Sequence, residues 1–190
     1  MSIDSQQQGF EHERVRGLRD AIRRSFPVVL YVGKITNCDG AWLPELTEEN
    51  AIHDDDKFVY EALKGRTWPD IPKQFLRNEP DGFVLLTDEA FVAYLAAWLM
   101  CALDDMDGEN NVREFLIYAM SPSHDQQRDI TPVKIRRLKL LNSEQRATIR
   151  SLLTEFAERE RSSFIRRFAT NAVELIDRAG LDARGGCNHP

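Results

Sequence analysis

The chain of 190 residues has only three cysteines, 10 glycines and 8 prolines, and no apolar run long enough to cross a bilayer. Each shortage closes off a class of protein. Cys38, Cys101 and Cys187 are odd in number and widely spaced, and one lies inside an apolar segment, so the pattern is no disulfide framework and fits a reducing compartment. The longest apolar stretch, Ala90 to Leu103, covers 14 residues, short of the roughly 20 that a membrane helix needs and typical of a buried core helix. Met1 to Gly9 lacks a basic stretch followed by an apolar core, so it does not read as a secretory signal, and the expected location is cytoplasmic. Gly-rich phosphate loops, nucleophile elbows and paired-cysteine zinc spacings are missing as well.

What is present is the composition of an ordinary folded domain, with 42% apolar and 29% charged residues of mixed sign. The length suits one domain, or one domain with an appended helix. Charge is uneven along it. Residues 34–125 hold 19 Asp or Glu against 7 Lys or Arg, a net of −12, whereas residues 126–190 hold 8 against 13, a net of +5. An acidic middle disfavours nucleic acid and suits a basic protein partner, or pairing with the chain's own basic end. A solvated acidic face is the plainer reading.

Hydrophobic spacing supplies the elements. Val15, Leu18, Ile22 and Phe26 recur at three and four residues and predict an amphipathic helix from Phe10 to Phe26, stopped by Pro27. Val28 to Val32, β-branched and ended by Gly33, predicts a short strand. Thr47 is a candidate N-cap for a helix with Ile52, Val59, Ala62 and Leu63 on its inner stripe, ending at Gly65. Two prolines make Trp68 to Pro72 a packed connector. Thr87, followed by Asp88 and Glu89, caps the helix Ala90 to Leu103, which is apolar on every side and therefore central. An acidic loop from Asp104 to Asn111 joins it to a second apolar segment, Val112 to Met120, as a helical hairpin. Around Val133 to Leu140 the spacing does not separate strand from turn. Ser143 to Ala179 contains no Gly or Pro across 37 residues and keeps a helical period, as one helix or as two with a bend at the charged run Glu158 to Arg161. Gly180 reads as its C-cap.

One block of the chain resembles a known family. Leu85, Leu86, Thr87, Asp88, Glu89, Ala90 and Phe91, then Tyr94, Leu95, Ala96 and Ala97, follow the pattern Phe-Leu-Thr-x-Glu-Ala-Phe-x-x-Tyr-Leu-Pro-Ala, with Leu85 for the usual Phe and Ala96 for the usual Pro. Together with Gly65, Trp68 and Ile71 upstream, and Gln145, Leu152 and Phe156 downstream, this block resembles an uncharacterised family of small bacterial proteins, a domain of unknown function. The likeness runs from about Leu18 to about Glu160 and leaves the C-terminal helix as the feature particular to this chain. It implies a helical fold and a bacterial source, and no reaction.

Candidate chemistry is thin. With Gly108 as the turn glycine of a calcium loop, Asp105, Asp107 and Glu114 take the third, fifth and twelfth positions, but Leu103 stands at the first, where a ligand is required. His53 and Asp56 have the i, i+3 spacing of a metal pair, with Cys38 as a distant third ligand, against the simpler reading of an exposed helix face. His124 beside Asp125, and His189 near Cys187, have no nucleophile close in sequence. Arg136, Arg137, Arg146 and Arg150 make a basic group without interleaved aromatics, a weak nucleic-acid signal. Trp68, Tyr94 and Trp98 read as core that packs the connector on the central helix, and Cys101 as an inert core thiol.

The reading is therefore a mainly α, single globular helical domain around a central apolar helix, with at most one short strand pair and an extra C-terminal amphipathic helix. Its expected divisions are a loose tail over residues 1–9, a helical core over 10–160, a C-terminal helix over 161–181 and a flexible tail over 182–190. No cofactor or metal is expected. The leading functional expectation is a non-catalytic protein-binding module, in one version immunity- or antitoxin-like, whose acids Asp54, Asp55, Asp56, Asp104, Asp105, Asp107 and Glu109 meet a basic partner. The competing class is an enzyme whose dispersed site uses His53, Asp56 and Asp70, and a third is self-association through residues 162–179.

Overall fold

A helix that is apolar nearly all round has to be covered nearly all round, and α4 (Asp88–Asp104) buries eleven of its residues, with Val92, Ala93 and Met100 partly covered and Glu89 exposed. The computed structural model describes the backbone of residues 3–36, 52–104, 106, 111–122 and 131–185, and the side chains of these except 3–10, 52–54 and 182–185. The other helices are α1 (Ile3–Ser25), α2 (Ile52–Leu63), α3 (Lys73–Asn78), α5 (Val112–Met120), α6 (Thr131–Leu140), α7 (Ser143–Arg159) and α8 (Ser163–Gly185), with two 3-10 turns at Trp68–Asp70 and Gly82–Leu85. The fold is all-helical, and no helix among the described residues is long and apolar enough to cross a membrane.

α4 touches α1, α3, α5, α6 and both 3-10 turns. Ala90, Ala96, Ala97 and Ala102 let neighbours approach its backbone, while Tyr94 and Trp98, fully buried, fill the space between them. Trp98 packs edge-on against Phe75 and Phe83, with ring centroids 6.2 and 5.7 Å away. The Tyr94 hydroxyl donates to the carbonyl of Leu63 at 3.3 Å, the last residue of α2. Immediately after it the chain turns at Gly65, whose φ of +68° is the left-handed value that a side chain resists. The Trp68 indole donates to the carbonyl of Phe26 at 3.2 Å, so the proline-rich connector is pinned to the end of α1.

Thr87 caps α4 by accepting from the amide of Ala90 at 3.3 Å, and its hydroxyl donates back to the carbonyl of Lys34 at 2.6 Å. That second bond sits beside the antiparallel bridge Thr36–Leu86. This bridge corrects the strand expected at Val28 to Val32: those residues lie outside any helix or strand, with Val28, Val29, Leu30 and Val32 exposed. β-branched composition favours a pleated, half-covered surface, and no neighbouring chain segment pairs with this one among the described residues. The expected N-cap Thr47 lies outside the described residues.

The stretch around Val133 to Leu140 is helix α6, with Pro132 in its first turn, where a missing amide costs nothing. Its pattern was ambiguous because only Leu138 is fully buried. The long segment from Ser143 is two helices. Asn142 and Gln145 open α7 with a reciprocal capping box, and Glu160 closes it. The buried Glu160 carboxylate accepts from the amide of Ser162 at 2.8 Å and from Arg113 at 3.0 Å, which fixes the bend into α8.

α8 is not a spare element. Phe168, Ala169, Ala172, Leu175, Ile176 and Ala179 are buried where it packs on α7, α5 and α6. The inner stripe of residues 162–179 is thus covered within the chain, with Phe164 left exposed. Burying Phe168, Leu175 and Ile176 stabilises the fold by roughly 1.5–3 kcal/mol each, a sum comparable with the whole stability of about 5–15 kcal/mol of an ordinary domain. Ending the chain after Arg161 is accordingly expected to abolish the cooperative thermal transition followed by circular dichroism. A shortened chain that still melted cooperatively would show α8 to be an accessory.

Candidate functional site

An apolar groove lies where the Gly82–Leu85 turn, α4, α5 and α6 meet, around a cavity of about 410 Å³. Its floor is Phe83, Phe91, Met120 and Leu138, all buried. Its lips are Val84, Phe115 and Val133, exposed at 46%, 38% and 42%. Large apolar side chains left half in water around a hollow mark a place where something else packs.

Two cations border this groove, and both are engaged by the fold. Lys134 donates to the carbonyls of Tyr118 and Ser121 at 2.8 and 2.7 Å, closing the C-terminal end of α5 where the helix dipole is negative. Arg137 reaches the carbonyls of Phe83 and Val84 at 3.4 and 3.2 Å and that of Leu86, bonds Asp88 at 3.2 Å, and lies over the Phe91 ring at 5.3 Å. A planar, five-donor guanidinium can hold three carbonyls and a carboxylate together, whereas an ammonium cannot span them. Burial pushes the Asp88 carboxyl up, but the hydrogen bonds and charges of Arg136 and Arg137 outweigh it and hold the group below the usual aspartate range. Tyr118, edge-on to Phe168 at 4.9 Å, has its phenol raised by burial and then by Glu114 and Glu160, away from neutrality. The lining therefore offers shape and apolar contact, with no nucleophile–base pair.

The remaining lining group, Asp81, connects the groove to an acidic neighbourhood. Burial raises the Glu79 carboxyl above the usual glutamate range, and the charges of Asp81 and Asp55 raise it further. Glu79 and Asp55 share a shallow depression with Glu61, Lys57 and the half-exposed ring of Phe58. Four carboxylates, Asp55, Glu61, Glu79 and Asp81, gather here with Lys57 alongside and Lys64 interacting with Glu61, a net negative neighbourhood.

The residues singled out from sequence are scattered relative to this groove. Asp55 is exposed on α2 and belongs to the acidic depression, while Asp56 is buried at 6% exposure. Asp104 is bonded by Arg19 at 2.8 Å and by Lys73, with burial pushing its carboxyl up and those two partners bringing it down below the usual range. Asp70 sits exposed on the first 3-10 turn, accepting from the hydroxyl of Thr67. Glu114 lies in the first turn of α5, where a carboxylate suits the dipole. The side chains of His53 and Asp54, and all of Cys38, Asp105, Asp107, Glu109, His124, Asp125, Cys187 and His189, lie outside the described residues. Among the described residues no group of three or more His, Cys, Asp or Glu is arranged to hold a metal. The basic group dissolves into internal contacts: Arg136 and Arg137 on Asp88, Arg146 on the carbonyl of Leu141, and Arg150 on Asp177 at 3.0 Å.

The groove itself was missed, although one signal existed. α5 buries Val112, Leu116, Ile117 and Met120, so Phe115 falls off the inner stripe of a segment with more apolar residues than one buried face needs.

Comparison with known proteins gives a family without an activity. A family model described as a family of unknown function (DUF6714) matches residues 38–174. The match starts later than the likeness read from Leu18 and runs past Glu160 into α8, in keeping with that helix being part of the core rather than an addition to it. No curated protein and no solved structure matches the chain.

The charge geometry has a consequence of definite sign. A carboxyl held low in the folded state contributes stability that is present above its unfolded pKa, about 3.9 for aspartate, and is lost as pH falls through the folded value. Asp88→Asn is expected to lower the melting temperature at pH 7 and to flatten the loss of stability below about pH 4. Glu79 runs the other way: Glu79→Gln is expected to raise the melting temperature at pH 7, an advantage that shrinks on acidification. Calorimetric melts across pH check both, and a destabilised Glu79→Gln protein at pH 7 would show the acidic neighbourhood to be relieved already.

Proposed function

The chain belongs to the family of unknown function DUF6714, which lends it no reaction, and we propose that it is a non-catalytic protein-binding module for a basic, apolar-anchored segment of a partner protein. The observation that carries this reading is the groove: a hollow with a buried aromatic floor and half-exposed apolar lips, whose cations are consumed by carbonyls and by Asp88. An apolar side chain of the partner fills the space above Phe83 and Phe91. Such an anchor in a desolvated pocket carries a large part of binding energy in protein interfaces. A lysine or arginine beside it faces Asp81 and reaches toward Glu79 and Asp55, where crowded carboxylates gain most from a countercharge.

The charge asymmetry of the chain supports the same sign of partner, with a net of −12 over residues 34–125 against +5 over residues 126–190. An immunity- or antitoxin-like role is the version in which that partner is a basic toxin.

Selection of ligands from a displayed random-peptide library tests the reading. The expected consensus is one large apolar residue flanked by Lys or Arg. Val133→Asp and Phe115→Ser are each expected to weaken the selected peptides by at least about tenfold, the loss of a central anchor contact, while Val32→Ser, far more exposed and outside the groove lining, leaves them unchanged. Ligands rich in Asp and Glu, or ligands indifferent to Val133→Asp, would sink it.

A further inference from the structure

A second cleft lies between α1, the Trp68–Asp70 turn, α3 and α4, and encloses about 450 Å³, within the range of pockets that take small molecules. It has two chemically distinct parts. Trp68, Ile71, Leu76, Ala97 and Cys101, all buried, form an apolar floor. Its polar part is a triad in which the Asp104 carboxylate is held by Arg19 at 2.8 Å and by Lys73.

Helix geometry sets the order of the two parts. Ala97, Cys101 and Asp104 follow one another at four and three residues along one face of α4. At 1.5 Å per residue they trace about 10 Å of track that is apolar at one end and ionic at the other. The ionic end is underfilled with acceptors. A guanidinium has five N–H donors and an ammonium three, and Asp104 takes one from each. Arg23 also lines the cleft, bonded at 3.4 Å to Asp20, so the lining carries three cations against one carboxylate.

We propose that this cleft binds a free single-chain carboxylic acid of medium length. The hydrocarbon lies along Ala97 and Cys101, and the carboxylate takes the remaining donors of Arg19 and Lys73 beside Asp104. No bond is made or broken; the chemistry is recognition of an amphiphilic anion. The site is separate from the groove between α4, α5 and α6 and stands independently of the function proposed for that groove.

Isothermal titration of the full chain with decanoate, kept below its micelle threshold, reads the binding directly. Saturable uptake of one decanoate per chain is expected, with decanol and decyltrimethylammonium at least about tenfold weaker, since the charge-assisted contacts are then lost. Lys73→Gln, at an exposed position, is expected to stay folded with a small drop in melting temperature from its lost contact with Asp104, and to lose about tenfold in affinity, the worth of one hydrogen bond to a charged group. Ala97→Phe is expected to block uptake by filling the floor; should it fail to fold, Lys73→Gln alone decides. Equal binding of the ammonium probe, or unchanged affinity in Lys73→Gln, overturns the proposal. So does flotation of the protein with phosphatidylglycerol vesicles when decanoate itself is not taken up.

Discussion

The enclosure of α4 is the constraint from which the rest of the architecture follows. Most of this helix is unsuited to water, so its neighbours cover it on nearly all sides. Two of the contacts are directional as well as apolar. Tyr94 fastens the end of α2 through its hydroxyl, and the cap at Thr87 fastens the chain around Lys34. The helix therefore sets both the position of its neighbours and where two of them stop.

Charge is arranged around this apolar centre so that segments far apart in sequence meet. Asp88 at the start of α4 bonds Arg136 and Arg137 of α6; Asp104 at its end bonds Arg19 of α1 and Lys73 of α3. Through Asp88 the acidic middle and basic end of the chain neutralise one another in part within a single molecule. The corner around Glu79, Asp81 and Asp55 stays acidic, and it adjoins the apolar groove. That adjacency sets negative potential beside an apolar hollow.

The helices were legible wherever burial was one-sided or complete. The stripe of α1, the all-round apolarity of α4, the cap at Thr87 and the connector at Trp68 all follow from spacing and local chemistry that survive folding unchanged. α6 was not legible because it buries little, and the strand at Val28 to Val32 was read from composition, which says nothing about whether a partner strand exists. The bend between α7 and α8 showed only as a charged interruption; that Glu160 turns inward to Arg113 is decided by a residue 47 positions away. The groove drew its walls from four segments, and the cleft from α1, α3, α4 and a turn. Neither is a local pattern, and only the surplus apolarity of α5 hinted at either.

At the middle of the molecule the indole nitrogen of Trp98 has no acceptor among the described residues, although the side chain is fully buried. An unsatisfied polar group in such a place costs about 1–3 kcal/mol, whereas truncating a buried tryptophan to alanine costs about 3–5 kcal/mol. The size of the ring prevails over the thirst of its nitrogen. At this position the protein favours volume over bonding, and the vacancy costliest to leave there is one of space.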